Sequence, residues 1–187
     1  MGDLAATPDA ILGLALARPP TLDSRRLVAV DGPAGSGKTT LAQMLRDLAP
    51  RATVVHMDDL FEGWDGLPTV DAQLDSLLQP LAAGEPGSYR RWDWDTGAWA
   101  ERVTVEPTGL LVVEGVGSGS LRAADVTTVL VWVEAPYDLR MRRGLDRDGD
   151  AFAPYWEQWA RDEAVLFERE QTRARADVRV DGQSTER

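Results

Sequence analysis

Residues 32–40 have the sequence Gly-Pro-Ala-Gly-Ser-Gly-Lys-Thr-Thr. Four of them match the pattern G-x-x-x-x-G-K-[ST], namely Gly32, Gly37, Lys38 and Thr39. A short apolar run rich in β-branched residues precedes the segment at 27–30, and apolar residues at helical spacing follow it at 41–45. The segment therefore joins a predicted strand to a predicted helix, which is the setting expected of a phosphate-binding (Walker A) loop.

The residue types of this loop suit a phosphate group. Its glycines allow a tight turn and a close approach of the backbone, whose N–H groups form an anion nest at the positive end of the following helix. We expect Lys38 to reach the β- and γ-phosphates of ATP and the Thr39 hydroxyl to bind Mg²⁺. The predicted nucleotide-binding residues are Gly32, Ala34, Gly35, Ser36, Gly37, Lys38, Thr39 and Thr40.

Composition narrows the class of protein. The chain has 187 residues, 43% of them hydrophobic, and no cysteine, which excludes a disulfide scaffold and a cysteine nucleophile. Its formal net charge of −11 disfavours nucleic acid and anionic membranes as partners. No apolar run approaches the roughly 20 residues of a membrane span, and we see no signal peptide, so a cytoplasmic protein is expected.

Predicted helices and strands alternate along the chain. This order indicates an α/β fold with a mostly parallel sheet and helices on both faces. We expect one domain over residues 1–187, with a helical extension at 1–22 and a frayed tail at 183–187. The predicted helices are 8–17, 39–48, 70–82, 138–145 and 154–175, and the predicted strands are 27–30, 53–57, 103–105, 110–113, 126–133 and 178–180.

Acidic residues follow two of the predicted strands. In a parallel sheet the ligand crevice lies beyond the carboxyl ends of the strands, so Asp58 and Glu114 are expected to meet at the phosphate loop. Asp58 is then placed to accept a proton from a bound hydroxyl, and Arg143 and Arg147 could close over the phosphates. The chain has no Asn-Lys-x-Asp segment to bind guanine and no second domain for a motor, which favours a kinase over a GTPase or motor.

Five segments together resemble the uridine kinase family of P-loop kinases, which also includes pantothenate, phosphoribulose and nicotinamide riboside kinases. The resemblance runs from residue 27 to about residue 180, nearly the whole chain. Among the matching segments, the phosphate loop is the most specific for nucleotides, although many families share it. The shorter segments support the resemblance mainly because they occur in the same order along the chain. The matching segments are 31–40, 57–61, 112–115, 143–148 and 176–178.

The resemblance implies roles for individual residues. It makes Asp58 the catalytic base, makes Arg143 and Arg147 the lid arginines, and places Trp92 and Trp94 against a nucleoside base. It implies ATP and Mg²⁺ as cofactors, with the metal held by Thr39, Glu114 and Asp58.

Other roles for these residues stay open. Asp58 could cap a turn, and Glu114 could be a surface carboxylate. Trp92 and Trp94 could pack in the core, and the only histidine, His56, is expected to be a core or edge residue. The two lid arginines could pair with the neighbouring aspartates at 146, 148 and 150.

The acceptor of the phosphoryl group stays open as well. The short segment 61–70 and the pair Arg90-Arg91 ahead of Trp92 depart from the family pattern. Both arginines could bind a phosphate or carboxylate already on the acceptor. A nucleoside therefore competes with a nucleoside monophosphate or another acidic small molecule. A regulatory protein that binds nucleotide without transferring phosphate is the alternative from another class. The oligomeric state is not predicted.

Overall fold

The computed structural model describes residues 6–149 and 153–183. Helices and strands alternate as predicted, with short 3₁₀ helices in the connections at Met57–Asp59, Gly63–Asp65, Leu67–Thr69 and Leu121–Val126. The helices are α1 (Pro8–Ala17), α2 (Lys38–Leu48), α3 (Asp71–Ala82), α4 (Tyr137–Asp148), α5 (Trp156–Glu170) and α6 (Thr172–Arg175). The strands are β1 (Arg26–Asp31), β2 (Thr53–His56), β3 (Gly87–Asp93), β4 (Ala98–Val105), β5 (Leu110–Glu114), β6 (Val129–Glu134) and β7 (Val178–Asp181).

Five strands form one parallel sheet in the order β2-β5-β1-β6-β7. The three inner strands are almost continuously apolar and buried, as is typical of parallel strands that are covered on both faces. The predicted α/β fold with a parallel sheet is therefore confirmed. Because β1 is central, the phosphate loop that follows it starts at the middle of the carboxyl edge of the sheet.

A hydrophobic core lies on each face of the sheet. Val112 of β5 packs in one core together with Ile11 of α1 and Leu45 of α2. Its neighbours Leu111 and Val113 point into the other core, which contains α3 and residues of α5. Successive strand residues face opposite sides of a sheet, so one short apolar run supplies both cores. Burying each of these side chains contributes roughly 1.5–3 kcal/mol.

Residues 87–105 form an element that the sequence did not predict as a unit. Instead of one short strand at 103–105, β3 and β4 make an antiparallel hairpin outside the main sheet. The Gln73 side chain of α3 exchanges two hydrogen bonds of 3.2 Å with the backbone of Arg90, which ties the hairpin to the helix.

Two predicted elements are shorter than expected. The helix predicted over 154–175 is interrupted at Gln171, whose φ of 50° is left-handed and cannot continue an α-helix. The strand predicted over 126–133 begins only at Val129, because residues 121–126 form a 3₁₀ helix.

Parts of the predicted termini lie outside the described residues, namely residues 1–5 of the extension and 184–187 of the tail. The described part of the extension is held in place, since Ile11 and Ala15 are fully buried and Arg18 pairs with Asp177 at 2.7 Å. Within residues 6–149 and 153–183, every helix is too short or too polar to cross a membrane.

A buried carboxylate joins two of the loops at the carboxyl edge. Asp31, the last residue of β1, accepts hydrogen bonds from the backbone N–H groups of Gly32 at 2.7 Å, Gly117 at 3.0 Å and Gly119 at 2.9 Å. Its side chain is fully buried, and burial raises the pKa of Asp31 to about 6 although the N–H groups and Lys38 oppose that rise. The phosphate loop and the loop after β5 are thus both hydrogen-bonded to the side chain of Asp31.

Titration of Asp31 should be visible in the stability of the protein. Between its ordinary pKa of 3.8 and about 6, the folded state holds a proton that the unfolded state releases, so stability falls as pH rises. We expect the free energy of unfolding of the wild type, minus that of Asp31→Asn, to fall by about 2 kcal/mol between pH 4 and pH 7. Urea unfolding at each pH measures this difference, and a flat or rising difference would contradict the assignment.

Candidate active site

A cleft of 740 Å³ opens at the carboxyl edge of the sheet. It brings the phosphate loop together with Asp58 and Glu114, which lie 56 residues apart in sequence. Of the predicted site residues, Ala34, Gly35, Gly37, Lys38, Thr39, Thr40, Asp58, Trp94, Glu114, Arg143 and Arg147 line the cleft. Gly32, Ser36, Arg90, Arg91 and Trp92 are not among its lining residues.

The phosphate loop needs its glycines for packing as well as for turning. Gly35 has a φ of 74°, and a Cβ there would lie 2.4 Å from the carbonyl oxygen of Arg140. A Cβ on Gly32 would lie 2.1 Å from the carbonyl oxygen of Val133. The loop is therefore pressed against α4 and β6, and α2 begins directly after it at Lys38.

Polar groups of the loop suit an anionic ligand. The Lys38 ammonium is almost buried and donates to the carbonyl oxygen of Pro33 at 2.9 Å, so it lies over its own loop. The Ser36 hydroxyl is buried and finds no hydrogen-bond partner in the described part of the chain. With the N-terminus of α2, these groups fit the phosphates of a nucleotide.

The oxygen atoms beside the loop suit Mg²⁺. The Thr39 hydroxyl donates to Glu114 Oε1 at 3.1 Å, and His56 Nδ1 lies 2.5 Å from the same oxygen. Since no group of three or more His, Cys, Asp or Glu side chains forms a metal site within the described residues, a bound ion would also need phosphate oxygens. That donor set is the usual one for Mg²⁺, which binds one or two carboxylates and substrate phosphates.

His56 was expected to be a core or edge residue, and the structure places it on the edge strand β2, beside the Glu114 carboxylate. The parallel register pairs it with Glu114 across β2 and β5, and its ring is half-exposed. The hydrogen bond to Glu114 is the main reason that the pKa of His56 is raised, and the charges of Asp59 and Asp58 add to it.

Asp58 lies in the 3₁₀ turn that follows β2. Its Oδ2 is 3.9 Å from a guanidinium nitrogen of Arg147, and its carbonyl oxygen accepts the indole N–H of Trp94 at 2.9 Å. Loss of water contact inside the cleft raises the pKa of Asp58, Arg147 opposes that rise, and Glu114 adds to it. The side chain still exposes 56% of its surface, so a ligand in the cleft can reach the carboxylate.

The two predicted lid arginines both reach the cleft from α4. Arg143 donates to the carbonyl oxygens of Gly35 at 3.3 Å and Gly182 at 3.0 Å. Arg147, one helical turn further on, approaches Asp58. The structure therefore places one arginine at the phosphate loop and the other at the proposed base.

The phosphate loop is also anchored by the ion pair between Glu163 and Arg140. Glu163 of α5 is only 2% exposed, and its Oε2 accepts the N–H of Ala34 at 2.8 Å while its Oε1 accepts from Arg140 at 3.0 Å. The same Arg140 nitrogen donates to the Ala34 carbonyl oxygen at 3.1 Å. This ion pair was not predicted, because no local sequence pattern relates residue 163 to residue 34.

The predicted acceptor site is not brought together as a unit. Trp92 packs edge-on against Trp99 across the hairpin, with ring centroids 5.1 Å apart. Arg90 lies over the Trp99 ring at 5.8 Å, and Arg91 forms two hydrogen bonds of 2.9 and 3.1 Å with Glu101. These three side chains belong to the surface of the hairpin, because strand pairing between β3 and β4 determines their neighbours.

Three aromatic residues that are not among the predicted site residues line the cleft beside Trp94, namely Phe61, Trp64 and Trp159. Trp64 lies 4.8 Å from Trp94 and 6.0 Å from Trp159, centroid to centroid, and Phe61 is 5.1 Å from Trp159. Trp64 also stacks on Tyr155 at 5.2 Å with an interplanar angle of 11°. The only sequence signal was the tryptophan in the departing segment 61–70, and its burial among other rings is a tertiary contact.

Comparison with solved structures finds the same fold in two bacterial proteins. A protein named "possible uridine kinase" from Bacillus stearothermophilus has a TM-score of 0.68 and 24% sequence identity, covering 93% of this chain and 97% of that one. A protein named "putative fructose transport system kinase" from Silicibacter sp. TM1040 has a TM-score of 0.67 and 23% identity, covering 96% and 100%. No protein-family model matches the chain, and no curated protein sequence is significantly similar to it. The chain therefore has a P-loop kinase fold.

The buried pair formed by Glu163 and Arg140 should matter for stability. Glu163→Ala leaves the Arg140 guanidinium buried without its carboxylate and the Ala34 N–H without its acceptor, so we expect the free energy of unfolding to fall by roughly 3–5 kcal/mol. Glu157→Ala is the matched control on the same helix, because that carboxylate is 80% exposed and should change stability by at most about 0.5 kcal/mol. Equal unfolding midpoints in urea for the two variants would refute a structural role for Glu163.

Proposed function

We propose that this protein is an ATP-dependent kinase that transfers the γ-phosphoryl group to a hydroxyl group of a small molecule. One observation carries the proposal: a phosphate loop, a carboxylate beside the loop threonine and a second carboxylate next to an arginine line the same cleft. A fold shared with two proteins named as kinases supports it.

Each group in the cleft has a part in such a transfer. The loop N–H groups and Lys38 bind the phosphates of ATP, and Arg143 and Arg147 neutralise negative charge that develops on the transferred group. Thr39, Glu114 and Asp58 would hold Mg²⁺, which would offset the negative charge of the phosphates. Transfer of this kind depends on positioning and electrostatics, and no covalent enzyme intermediate is required.

Asp58 acts on the acceptor. Its carboxylate accepts the proton of the hydroxyl as the hydroxyl oxygen forms its bond to phosphorus and ADP leaves. The raised pKa of Asp58 makes it a stronger base than an ordinary aspartate. Arg147, within 3.9 Å, keeps the carboxylate ionised and ready to accept the proton.

The cleft is more consistent with an unphosphorylated acceptor than with a nucleoside monophosphate. Arg90 and Arg91 were the reason for considering a phosphorylated acceptor, and neither lines the cleft. Arg91 is also neutralised by Glu101. The aromatic side chains of Trp64 and Trp94 offer a flat apolar surface for the body of an unphosphorylated acceptor.

Binding of ATP is the first test. ATP with Mg²⁺ should raise the melting temperature, since a ligand that binds only the folded state stabilises it by mass action. Lys38→Ala removes the ammonium over the loop and should abolish most of this shift and nearly all transfer. A variant that keeps both the wild-type shift and the wild-type turnover would rule out the phosphate loop as the nucleotide site.

The role of Asp58 is tested by its amide. Asp58→Asn keeps the shape of the side chain but cannot accept the proton, so turnover should fall by on the order of 10²–10⁴ with nucleotide affinity nearly unchanged. A coupled assay of ADP release, with nucleosides, nucleoside monophosphates, sugars and vitamin precursors as acceptors, measures turnover. Asp65→Asn is the control, because that exposed carboxylate lies outside the cleft.

If the wild type binds ATP but releases no ADP with any acceptor, the regulatory alternative replaces the kinase. If Asp58→Asn keeps full turnover, another group must accept the proton.

A further inference from the structure

Aromatic rings form one part of the cleft lining, which we call the aromatic end. Phe61, Trp64, Trp94 and Trp159 all line it. Trp94 has its indole N–H bound to the Asp58 carbonyl oxygen, and 38% of its surface is exposed. Its N–H is therefore used internally, and what it offers a ligand is its ring.

Carboxylates accompany the aromatic end. Asp59 and Asp95 line the same cleft, next in sequence to Asp58 and Trp94 respectively. Asp59 receives only a long hydrogen bond of 3.5 Å from the Tyr89 hydroxyl. The carboxylate of Asp95 makes no hydrogen bond or ion pair with any residue that the structure describes. This end of the cleft therefore carries negative charge that its own side chains only partly balance.

The two basic side chains that act on Asp59 are His56 and Arg91, and both are already paired with other carboxylates. His56 Nδ1 lies 2.5 Å from Glu114 Oε1, and Arg91 is bound to a neighbour on the hairpin. Its guanidinium is already engaged by Glu101 at 2.9 Å and lies 3.8 Å from Asp93. Two carboxylates thus neutralise Arg91 before any ligand arrives.

The basic side chains that line the cleft are also already paired. Lys38 donates to the phosphate loop, Arg143 donates to the carbonyl oxygen of Gly35 in the same loop, and Arg147 approaches Asp58. Asp59 and Asp95 therefore form no ion pair with any lining residue.

We infer that the aromatic end of the cleft, formed by Trp64, Trp94, Asp59 and Asp95, binds an organic cation, so that the acceptor is an alcohol carrying a protonated amine or a quaternary ammonium group. The faces of indole rings attract such cations through the ring quadrupole, and neighbouring carboxylates strengthen the attraction. An anionic acceptor would be repelled by the same carboxylates.

This inference rests on the proposed function, since it assigns the aromatic end to the acceptor. It goes further by setting the charge of that acceptor, which distinguishes an amino or ammonium alcohol from a neutral nucleoside.

Three small alcohols of nearly equal shape test it. Choline is the cation, 3,3-dimethylbutan-1-ol is its neutral isostere, and 2-hydroxyethanesulfonate is the anion, with uridine as a neutral alcohol that carries a flat ring. Ligand-observed NMR titration without nucleotide gives their dissociation constants. We expect choline to bind about tenfold more tightly than its neutral isostere, and the anion to bind least.

Variants assign the preference to the aromatic end. Asp59→Asn and Trp94→Leu should each reduce the preference of choline over its isostere several-fold, whereas the control Asp65→Asn should leave it unchanged. Lys38→Ala should lose ATP binding and keep the preference, because the ammonium group of Lys38 is bound to the phosphate loop.

The inference and the proposed function fail separately. Equal binding of choline and its isostere, tighter binding of uridine or of the anion, or no binding of choline at millimolar concentration would overturn the cation site while leaving a kinase possible. A retained preference for choline with no ADP release from any alcohol would overturn the kinase and leave the cation site intact.

Discussion

The carboxylate of Asp31 is the constraint on which the site depends. An ionised carboxylate buried at the end of the central strand costs several kcal/mol unless hydrogen bonds replace the lost water. Three backbone N–H groups supply them, and they come from the phosphate loop and from the loop that follows Glu114. By satisfying one buried charge, the chain fixes the distance between the residues proposed to hold ATP and those proposed to hold Mg²⁺.

Helix α5 adds a second constraint, because its residues contribute to both the phosphate loop and the aromatic end. Glu163 holds the phosphate loop through Ala34, and Trp159, one helical turn earlier, belongs to the aromatic end. The helix cannot shift along its axis without disturbing both contacts. The phosphate loop and the aromatic end are therefore coupled through one helix, while Arg143 and Arg147 approach from the separate helix α4.

Those parts of the structure that depend on local pattern could be predicted from the sequence. The phosphate loop and the parallel sheet follow from one motif and from short apolar runs, and the meeting of Asp58 with Glu114 follows from the rule for strand ends. The surroundings of Arg91 and Trp92 could not be predicted, because pairing with Glu101 and Trp99 across the hairpin decides them. Contacts between residues far apart in sequence, such as that of Glu163 with Ala34, leave no local signal.

The positions of charges in the cleft change what the net charge of the chain predicts about its ligands. A net charge of −11 alone predicts repulsion of any anion, ATP included. Lys38, Arg143 and the start of α2 concentrate positive potential at the phosphate loop, which is the proposed site of ATP. At the aromatic end, Asp59 and Asp95 form no ion pair with another lining residue, so the general acidity of the protein and the local field act together there. A ligand drawn to that end should therefore be selected for positive charge first and for shape second.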